Sequence, residues 1–389
     1  MTARRHAEIA GAGFAGLTAA IALTARGWSV RVHEASPELR ALGAGIFIWE
    51  NGLRVLKAVG AYEEVMQGAH EAMVYETRHD ARLLDAHSFT PDKGTRMLTM
   101  TRQHLYSALI RAARRHGIEI ITGSEAVGAP REGVLITAGG GRFAADLVVG
   151  ADGAGSKVRD SVGLLQERHV YTDGIVRVLA PRPQEKLGPG NWDHVIDFWT
   201  MQGRPLRILY VPCSAQDLYL AMMAPVADQE ATAIPLRTEI WTTAFPQLAP
   251  VICKILVGGR YDAYETTKLK RWSCGSVAII GDAAHAMTPT LGQGAGTAMM
   301  NALSLAVTLE QEPAIERALA RWEERERPLT EHTQNCSAQI ANERRLSRWD
   351  DETLRTANHI PTGTEHFGPL AQHGRCAPSA LVGESWGGG

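Results

Sequence analysis

Three carboxylates in this chain of 389 residues stand where apolar runs end. Glu34 follows "SVRVH", Asp152 follows "LVVGA" and Asp282 follows "VAIIG". These runs have the length and composition of buried strands, so each acid is expected at a strand tip. The segment 292–296 is rich in glycine, which gives the helix expected there a first turn with almost no side chains. Acids at strand tips beside bare backbone indicate a ligand-binding site.

The N-terminal segment "AEIAGAGFAGLTAAIALTARGWSVRVHE" must position the first of these acids. Its pattern predicts a strand over Ala7–Ala10, a helix over Ala15–Ala25 that ends before Gly27, and a strand over Ser29–His33. An export signal is the alternative interpretation of the apolar run after Arg4-Arg5. Glycines inside that run, and its direct continuation into a second strand, argue against a signal.

The turn between the first strand and the helix has the pattern GxGxxG. In a dinucleotide site its glycines make the tight turn, admit the pyrophosphate and let helix and strand pack closely, and here they are Gly11, Gly13 and Gly16. Glu34 follows at the distance of the acid that accepts both ribose hydroxyls of an adenosine. The alternative, a purely structural glycine turn, does not explain this acid.

No second GxGxxG is present, so the sequence predicts a single dinucleotide-binding fold. The other motifs must show which dinucleotide it binds. The chain carries GxGxxG, then Asp152-Gly153, then Gly281-Asp282, in that order. Together these motifs resemble the single-component FAD-dependent aromatic hydroxylases of the 4-hydroxybenzoate hydroxylase type. The resemblance implies bound FAD, with NAD(P)H as a transient co-substrate that needs no Rossmann domain of its own.

The resemblance also implies roles for individual residues. Asp282 would accept hydrogen bonds from the ribityl hydroxyls, rather than only capping its own helix. Gly292 and Gly294 would let the isoalloxazine edge approach the backbone, and a helix starting near Gly294 would direct its positive end at the flavin. The other residues expected to contact FAD are Arg40, Arg102, Asp152 and Ala295. For the two arginines, an exposed position away from FAD is the alternative.

The region between about Tyr171 and Tyr264 changes to period-two strands and turns, which predicts an antiparallel sheet. Arg207 and Tyr219 lie mid-strand in a hairpin and share a face if the register permits. A buried arginine needs a carboxylate partner. With no acid nearby in sequence, a carboxylated substrate would supply the partner, whereas an edge-strand arginine would point to solvent.

Within the family, "VYETR", "RILYVPC" and "YDAYETTKL" resemble the members that oxygenate a 3-hydroxypyridine carboxylate. This implies that Arg207, Tyr219 and Tyr75 hold the substrate, while Pro289 and the 288–292 backbone shape the flavin-side wall. A C4a-hydroperoxyflavin would then hydroxylate and ring-open the substrate. The alternatives are hydroxylation of a hydroxybenzoate or 6-hydroxynicotinate without ring opening, and a non-catalytic FAD-binding or redox-sensing protein.

Length and composition agree with an α/β protein of two domains. We predict a discontinuous Rossmann-like FAD-binding domain (1–70, 96–168 and 266–345), an antiparallel-sheet substrate domain (71–95 and 169–265), and a C-terminal tail over 346–389. The charged segment 314–347 is predicted to be a solvated helix with a kink or boundary at Pro328.

The net charge of −2 offers no attraction for nucleic acid or an anionic membrane. No apolar stretch is long enough to span a bilayer. The five scattered cysteines indicate neither a disulfide framework nor a metal site, and favour the reducing cytoplasm. The expected partners are therefore a small aromatic carboxylate and O2, and the oligomeric state is left open.

Overall fold

The computed structural model describes residues 4–40, 44–79, 82–89, 96–183, 187–200, 203–255 and 259–346. Apart from Leu346, the predicted tail lies outside these residues. The strands are β1 (His6–Ala10), β2 (Ser29–His33), β3 (Gly45–Trp49), β4 (His70–Glu71), β5 (Val74–His79), β6 (Arg82–Ser88), β7 (Met97–Thr101), β8 (Glu119–Ile121), β9 (Ala126–Gly128), β10 (Val134–Thr137), β11 (Arg142–Ala144), β12 (Leu147–Gly150), β13 (Leu165–Pro181), β14 (Val195–Thr200), β15 (Leu206–Pro212), β16 (Asp217–Pro225), β17 (Tyr261–Leu269), β18 (Ser273–Cys274) and β19 (Val277–Ile279). The helices are α1 (Phe14–Thr24), α2 (Glu50–Ala58), α3 (Tyr62–Met66), α4 (Arg102–Arg115), α5 (Lys157–Ser161), α6 (Thr238–Ala244), α7 (Ala249–Ile252), α8 (Asp282–His285), α9 (Gly294–Gln311) and α10 (Ile315–Glu343).

A six-stranded sheet has the order β18-β19-β12-β1-β2-β8. Its neighbouring strands run parallel except at the β18–β19 edge. The carboxyl ends of parallel strands meet at one edge of a sheet, where ligands bind in such folds. This edge carries the glycine turn and, after β2, β12 and β19 respectively, Glu34, Asp152 and Asp282.

Helix α1 connects β1 to β2, which confirms the predicted strand–helix–strand unit. Every observed end of the three elements lies within one residue of the predicted end. Residues 15–23 of α1 are all buried. They are buried because α1 contacts α9 and α4 as well as the sheet. A helix that is apolar on every side suits this position.

A seven-stranded sheet has the order β17-β13-β16-β15-β14-β5-β6. It is antiparallel except for the parallel β14–β5 pair, so the predicted antiparallel sheet is confirmed with one exception. The predicted contribution of residues 71–95 is confirmed for β5 and β6, whereas β4 pairs with β7 in a separate small sheet.

Side chains alternate between the two faces of this sheet. On one face, Phe198, Ile208 and Met222 pack against Trp241 of α6 in an apolar cluster. The opposite face turns toward the carboxyl edge of the parallel sheet and lines the cavity described below. The seven-stranded sheet is therefore anchored by one face, which leaves the other free for a site.

Helix α10 continues through Pro328. The prediction that the helix could end at this proline is therefore wrong. Proline removes one backbone donor from a helix. Two side-chain contacts with α9 flank it, Ser304 Oγ donating to Glu326 (2.6 Å) and Asn301 Nδ2 donating to Thr330 (3.0 Å). Because these contacts hold α10 to its neighbour on both sides of Pro328, the helix has a buried face and is not solvated all round.

None of the helices within the described ranges combines the length and apolar character needed to cross a bilayer. The predicted domain boundaries remain a prediction, although each large sheet falls mainly in one of the two predicted domains.

Candidate active site

A cavity of about 310 Å³ lies between the carboxyl edge of the parallel sheet and the open face of the seven-stranded sheet. It brings together residues that the sequence predicts separately for the cofactor and the substrate. The predicted site residues that line it are Gly13, Tyr75, Arg102, Arg207, Tyr219, Asp282, Pro289, Gly292, Gly294 and Ala295. Gly11, Gly16, Glu34, Arg40 and Asp152 lie outside this lining.

The glycine turn fits a diphosphate. Gly11 has φ +96°, and a Cβ there would stand 2.4 Å from the Ala151 carbonyl oxygen. A Cβ on Gly16 would stand 2.0 Å from the Gly11 carbonyl oxygen, so these two glycines serve the turn itself. Gly13 differs, because a Cβ there would meet nothing within 4 Å. No side chain caps α1 at Gly13, so the helix N-terminus faces open space in which an anion can bind.

Glu34 braces this turn. Its Oε2 accepts a hydrogen bond from the Ala12 N–H at 2.8 Å and its Oε1 accepts one from the Ser36 N–H at 2.9 Å. Each carboxylate oxygen retains a second lone pair. The predicted contact with ribose hydroxyls therefore remains compatible with the geometry.

The structure places two other predicted cofactor residues differently. Arg40 is exposed at the surface and lies 3.5 Å from Glu38. Asp152 caps α5, because its carboxylate accepts hydrogen bonds from Ser156 Oγ (2.6 Å) and the Lys157 N–H (2.8 Å). Their roles toward FAD stay predictions, and Gly153 is the residue of the Asp152-Gly153 motif that reaches the cavity.

Asp282 and Arg102 are the charged groups at the cofactor end of the cavity. Among the described residues, the Asp282 carboxylate accepts no hydrogen bond, and burial raises its pKa although Arg102 opposes the shift. Burial likewise lowers the pKa of Arg102, whose guanidinium lies 5.0 Å from the centroid of the Phe14 ring. The Asp282 side chain is exposed to the open cavity, so its carboxylate is available to a ligand. Ribityl hydroxyls would satisfy Asp282, and a phosphate would satisfy Arg102.

The flavin-side loop consists of a 3₁₀ turn at Pro289–Leu291, then Gly292 with φ +61°, then the uncapped start of α9 at Gly294. Ser337 of α10 holds this loop. Its Oγ donates to the Thr288 carbonyl (2.7 Å), and the Thr290 hydroxyl donates to the Ser337 carbonyl (2.7 Å). Sequence reasoning missed Ser337, because nothing in its charged helix signals a contact with residues about 50 positions earlier.

The last turns of α10 and the residues just after it contact three strands. Gln334 Nε2 donates to the carbonyl of Thr267 in β17 at 2.8 Å. Arg344 Nη2 donates to Asp197 of β14 at 3.2 Å, and the Leu346 N–H donates to Asp173 of β13 at 2.7 Å. The segment 334–346 therefore joins the flavin-side loop to the substrate-side sheet.

Arg207 and Tyr219 lie on the same face of the seven-stranded sheet. Arg207 pairs with Met223, and Tyr219 pairs with Val211 four residues further along β15. Because side chains alternate, this register confirms that the two share a face. Tyr264 of β17 lines the same wall, and no sequence pattern had singled it out.

The sequence-based expectation that Arg207 lacks a protein carboxylate is wrong. Its Nε and Nη2 donate to the two oxygens of Asp197, at 2.5 and 2.9 Å. Tyr75 Oη donates to the same carboxylate at 3.1 Å. Asp197 stands in the apolar stretch "HVIDFWT" (194–200), but its distance from Arg207 depends on the β14–β15 register, which single-strand patterns do not reveal.

His285, three residues after Asp282, is a packing residue. It is buried, its Nε2 lies 3.1 Å from Asn301 Nδ2, and its ring contacts Trp272. Burial lowers its pKa to about 4, so it stays neutral at physiological pH. It does not line the cavity, and we assign it no acid–base role.

The chain matches the family described as the FAD binding domain over residues 5–337. It is 42% identical to the putative 2-heptyl-3-hydroxy-4(1H)-quinolone synthase AqdB1 of Rhodococcus erythropolis, over 92% of this chain and 97% of that protein. It is 40% identical to the 2-heptyl-3-hydroxy-4(1H)-quinolone synthase of Mycobacteroides abscessus, over 85% and 88% respectively. The solved tetrameric form of 2-methyl-3-hydroxypyridine-5-carboxylic acid oxygenase is 46% identical, with a TM-score of 0.87 over 97% of this chain and 98% of that one. The predicted resemblance is confirmed, whereas the quinolone relatives are unexpected.

We expect Asp282→Asn to weaken FAD binding about 10- to 100-fold, because hydrogen bonds to a charged acceptor contribute about 1.5–3 kcal/mol. The apoprotein should be about as stable as the wild type, because the Asp282 side chain is exposed and accepts no hydrogen bond from the described residues. Flavin fluorescence titration and thermal unfolding of the apoprotein measure both effects. Asp152→Ala is the comparison, because it removes the acceptor of the N–H groups of Lys157 and Val158 at the start of α5 and should lower stability by about 1 kcal/mol. Undiminished FAD affinity in Asp282→Asn would contradict the assignment.

Proposed function

Because the chain belongs to the family of FAD-dependent aromatic hydroxylases, we propose that it inserts oxygen from O2 into an aromatic nitrogen heterocycle that bears a ring hydroxyl or oxo group. The observation that carries this proposal is the cavity in which the 288–292 loop faces Tyr75, Arg207 and Tyr219. Both kinds of relative support it. A 3-hydroxy-4(1H)-quinolone and a 3-hydroxypyridine carboxylate are each nitrogen heterocycles with oxygen on the ring.

The cofactor end of the cavity suits FAD. Gly13 and the α1 N-terminus would hold the diphosphate, Asp282 the ribityl chain, and the 288–292 loop the ring edge. When bound, FAD takes electrons from NAD(P)H and activates O2 for transfer to carbon. The protein's own part is to position the substrate and to keep water out.

The substrate wall supplies hydrogen-bond donors in an apolar setting. Burial raises the pKa of Tyr219 and Tyr264, so their hydroxyls stay protonated and can donate to a ring oxygen or nitrogen. The Tyr75 hydroxyl donates to Asp197, so its oxygen can accept from a substrate N–H or O–H group. Leu209 and Met223 contribute apolar surface that excludes water. A general base is not needed at carbon, because the ring oxygen of the substrate makes the neighbouring carbon electron-rich.

Two substrates fall within this class. A 3-hydroxypyridine carboxylate, oxygenated and then ring-opened, is favoured by the 46% identity and TM-score of 0.87 to the oxygenase named for such a substrate. A 4-quinolone without a carboxylate is favoured by the Asp197 contacts of Arg207, which already give that arginine an acidic partner.

The proposal is tested by turnover of the purified holoprotein. Oxidation of NADH and NADPH is followed with 2-methyl-3-hydroxypyridine-5-carboxylate, 5-hydroxynicotinate, 6-hydroxynicotinate, 2-heptyl-4(1H)-quinolone and, as a carbocyclic control, 4-hydroxybenzoate. We expect a flavin spectrum and stimulation by at least one of the heterocycles. Product mass then separates simple hydroxylation from ring opening.

Stimulation by 4-hydroxybenzoate alone would contradict the heterocycle assignment while keeping FAD and the fold. Oxidation of NAD(P)H that no aromatic compound stimulates would contradict the oxygenase assignment itself, and would favour a redox-sensing role.

A further inference from the structure

Asp197 occupies a position that the sheet geometry makes specific. Trp199, two residues along β14, pairs with Arg207 on β15, and Val195, two residues back, pairs with Tyr75 on β5. Asp197 is therefore the diagonal neighbour of both Arg207 and Tyr75 on the cavity face of the sheet. Its side chain is 0% exposed, so it stands behind these two cavity-lining residues.

The contacts of Asp197 use both of its oxygens. Oδ1 accepts from Arg207 Nε at 2.5 Å, while Oδ2 accepts from Arg207 Nη2 (2.9 Å), Tyr75 Oη (3.1 Å) and Arg344 Nη2 (3.2 Å). A bidentate arginine–carboxylate pair is the strongest and most directional of side-chain ion pairs. The charge of Arg207 is thus compensated inside the protein before any substrate binds.

The other arginines of the cavity have acidic neighbours too. Within the part of the chain that the structure describes, the arginines that line the cavity are Arg102, Arg177 and Arg207. Arg177 Nη1 donates to Asp262 at 2.7 Å. Arg102 lies at the cofactor end, near Asp282 and beside the α1 N-terminus. Each arginine on the cavity wall therefore has an acidic neighbour, and Asp197 also contacts the buried Arg344.

We propose that Asp197 makes the site select a substrate that presents a neutral oxygen, a ring carbonyl or hydroxyl, to Arg207 and Tyr75, and that it disfavours a carboxylate there. This inference rests on the proposed function and narrows its substrate class. A substrate carboxylate would have to share one guanidinium with the Asp197 carboxylate, and like charges close together in a buried site repel. A neutral oxo group accepts a hydrogen bond from the remaining Arg207 N–H groups without that repulsion, and a ring hydroxyl can donate to the Tyr75 oxygen. Selectivity of this kind comes from a group that penalises the wrong ligand.

The test uses two matched ligand pairs with the wild-type holoprotein. One pair is 3-hydroxypyridine and 5-hydroxynicotinate, and the other is 2-methyl-4(1H)-quinolone and 4-oxo-1H-quinoline-2-carboxylate. Dissociation constants are measured by calorimetry and by the change in the flavin spectrum. We expect the carboxylate to weaken binding about tenfold or more in at least one ring system and to strengthen it in neither. Tighter binding of the carboxylated member by tenfold would overturn the inference.

The Asp197→Asn variant tests the residue itself. We expect the ratio of carboxylated to uncarboxylated dissociation constants to shift by at least about tenfold in favour of the carboxylate. Glu76→Gln is the matched control, because Glu76 is a buried carboxylate on the opposite face of the same sheet, paired with Arg78 and His194. It should leave the ratio unchanged. An equal ratio in wild type and Asp197→Asn would overturn the role of Asp197.

The outcomes separate the two levels of proposal. If heterocycles stimulate NAD(P)H oxidation and the carboxylated ones bind more tightly, the proposed function stands and the role of Asp197 fails. If none of the heterocycles binds, the proposed function fails and the inference fails with it. Because the ligand pairs are compared first in the wild-type protein, the result does not depend on the stability of Asp197→Asn.

Discussion

Arg207→Ala should lower the free energy of unfolding by about 3–5 kcal/mol, because it removes one partner of a buried ion pair and leaves Asp197 undercompensated. We still expect the folded variant to hold FAD, since Arg207 lies on the substrate wall, and to bind its substrate more weakly. Chemical denaturation of the apoprotein and ligand titration of the holoprotein measure the two effects separately.

Arg204→Ala is the control for this variant. Arg204 lies three positions away and pairs with Asp228 and Glu230 at the surface, where such pairs contribute about 0–1 kcal/mol. The double variant Arg207→Met, Asp197→Asn should not recover the lost stability, because it also removes the carboxylate that the buried Arg344 contacts. An Arg207→Ala protein as stable as wild type would contradict the buried ion pair.

Gly13→Ala should abolish or weaken FAD binding by at least about 100-fold while the protein still folds. The added methyl group would meet nothing in the protein, but it would stand where the diphosphate approaches the α1 N-terminus. Losing two hydrogen bonds to a charged group costs about 3–6 kcal/mol. The cost to folding should be about 1 kcal/mol or less, because alanine is a poorer N-cap than glycine. Retention of flavin on purification and thermal unfolding of the apoprotein give the two readouts.

Two other glycine variants serve as controls for Gly13→Ala, one expected to have no effect and one expected to disrupt the turn. Gly139→Ala adds a methyl group to similarly open space in a turn away from the cavity, and should change neither FAD binding nor folding. Gly16→Ala places a methyl group 2.0 Å from the Gly11 carbonyl oxygen, and should prevent the native turn from forming. If Gly13→Ala retained FAD with native affinity, the diphosphate could not lie at this helix end.

The features that local pattern determines were predictable. The β1–α1–β2 unit and its glycine turn follow from apolar periodicity and from backbone positions that only glycine tolerates. The three strand-tip acids were found for the same reason, because each is adjacent in sequence to the strand that places it. The structure nonetheless divides their tasks, since Asp282 faces the cavity whereas Asp152 caps a helix.

The features that depend on distant contacts were not predictable. The pairing of Asp197 with Arg207 needs the register of two strands, and its contact with Arg344 joins residues 147 positions apart. Helix α10 looked solvated because its glutamates are frequent, yet Ser337 and Gln334 are buried against the loop and sheet. Pro328 likewise predicts a helix boundary locally, and tertiary contacts with α9 override that preference.

The attachment of the 334–346 segment has a consequence for how efficiently reducing power is used. This segment hydrogen-bonds to the flavin-side loop through Ser337, and to the seven-stranded sheet through Arg344 and Leu346. The spacing between the flavin-side loop and the substrate-side sheet therefore depends on one continuous segment. We expect small shifts of this segment to change the fraction of NAD(P)H that ends in product rather than in hydrogen peroxide, even where affinity for both ligands is retained.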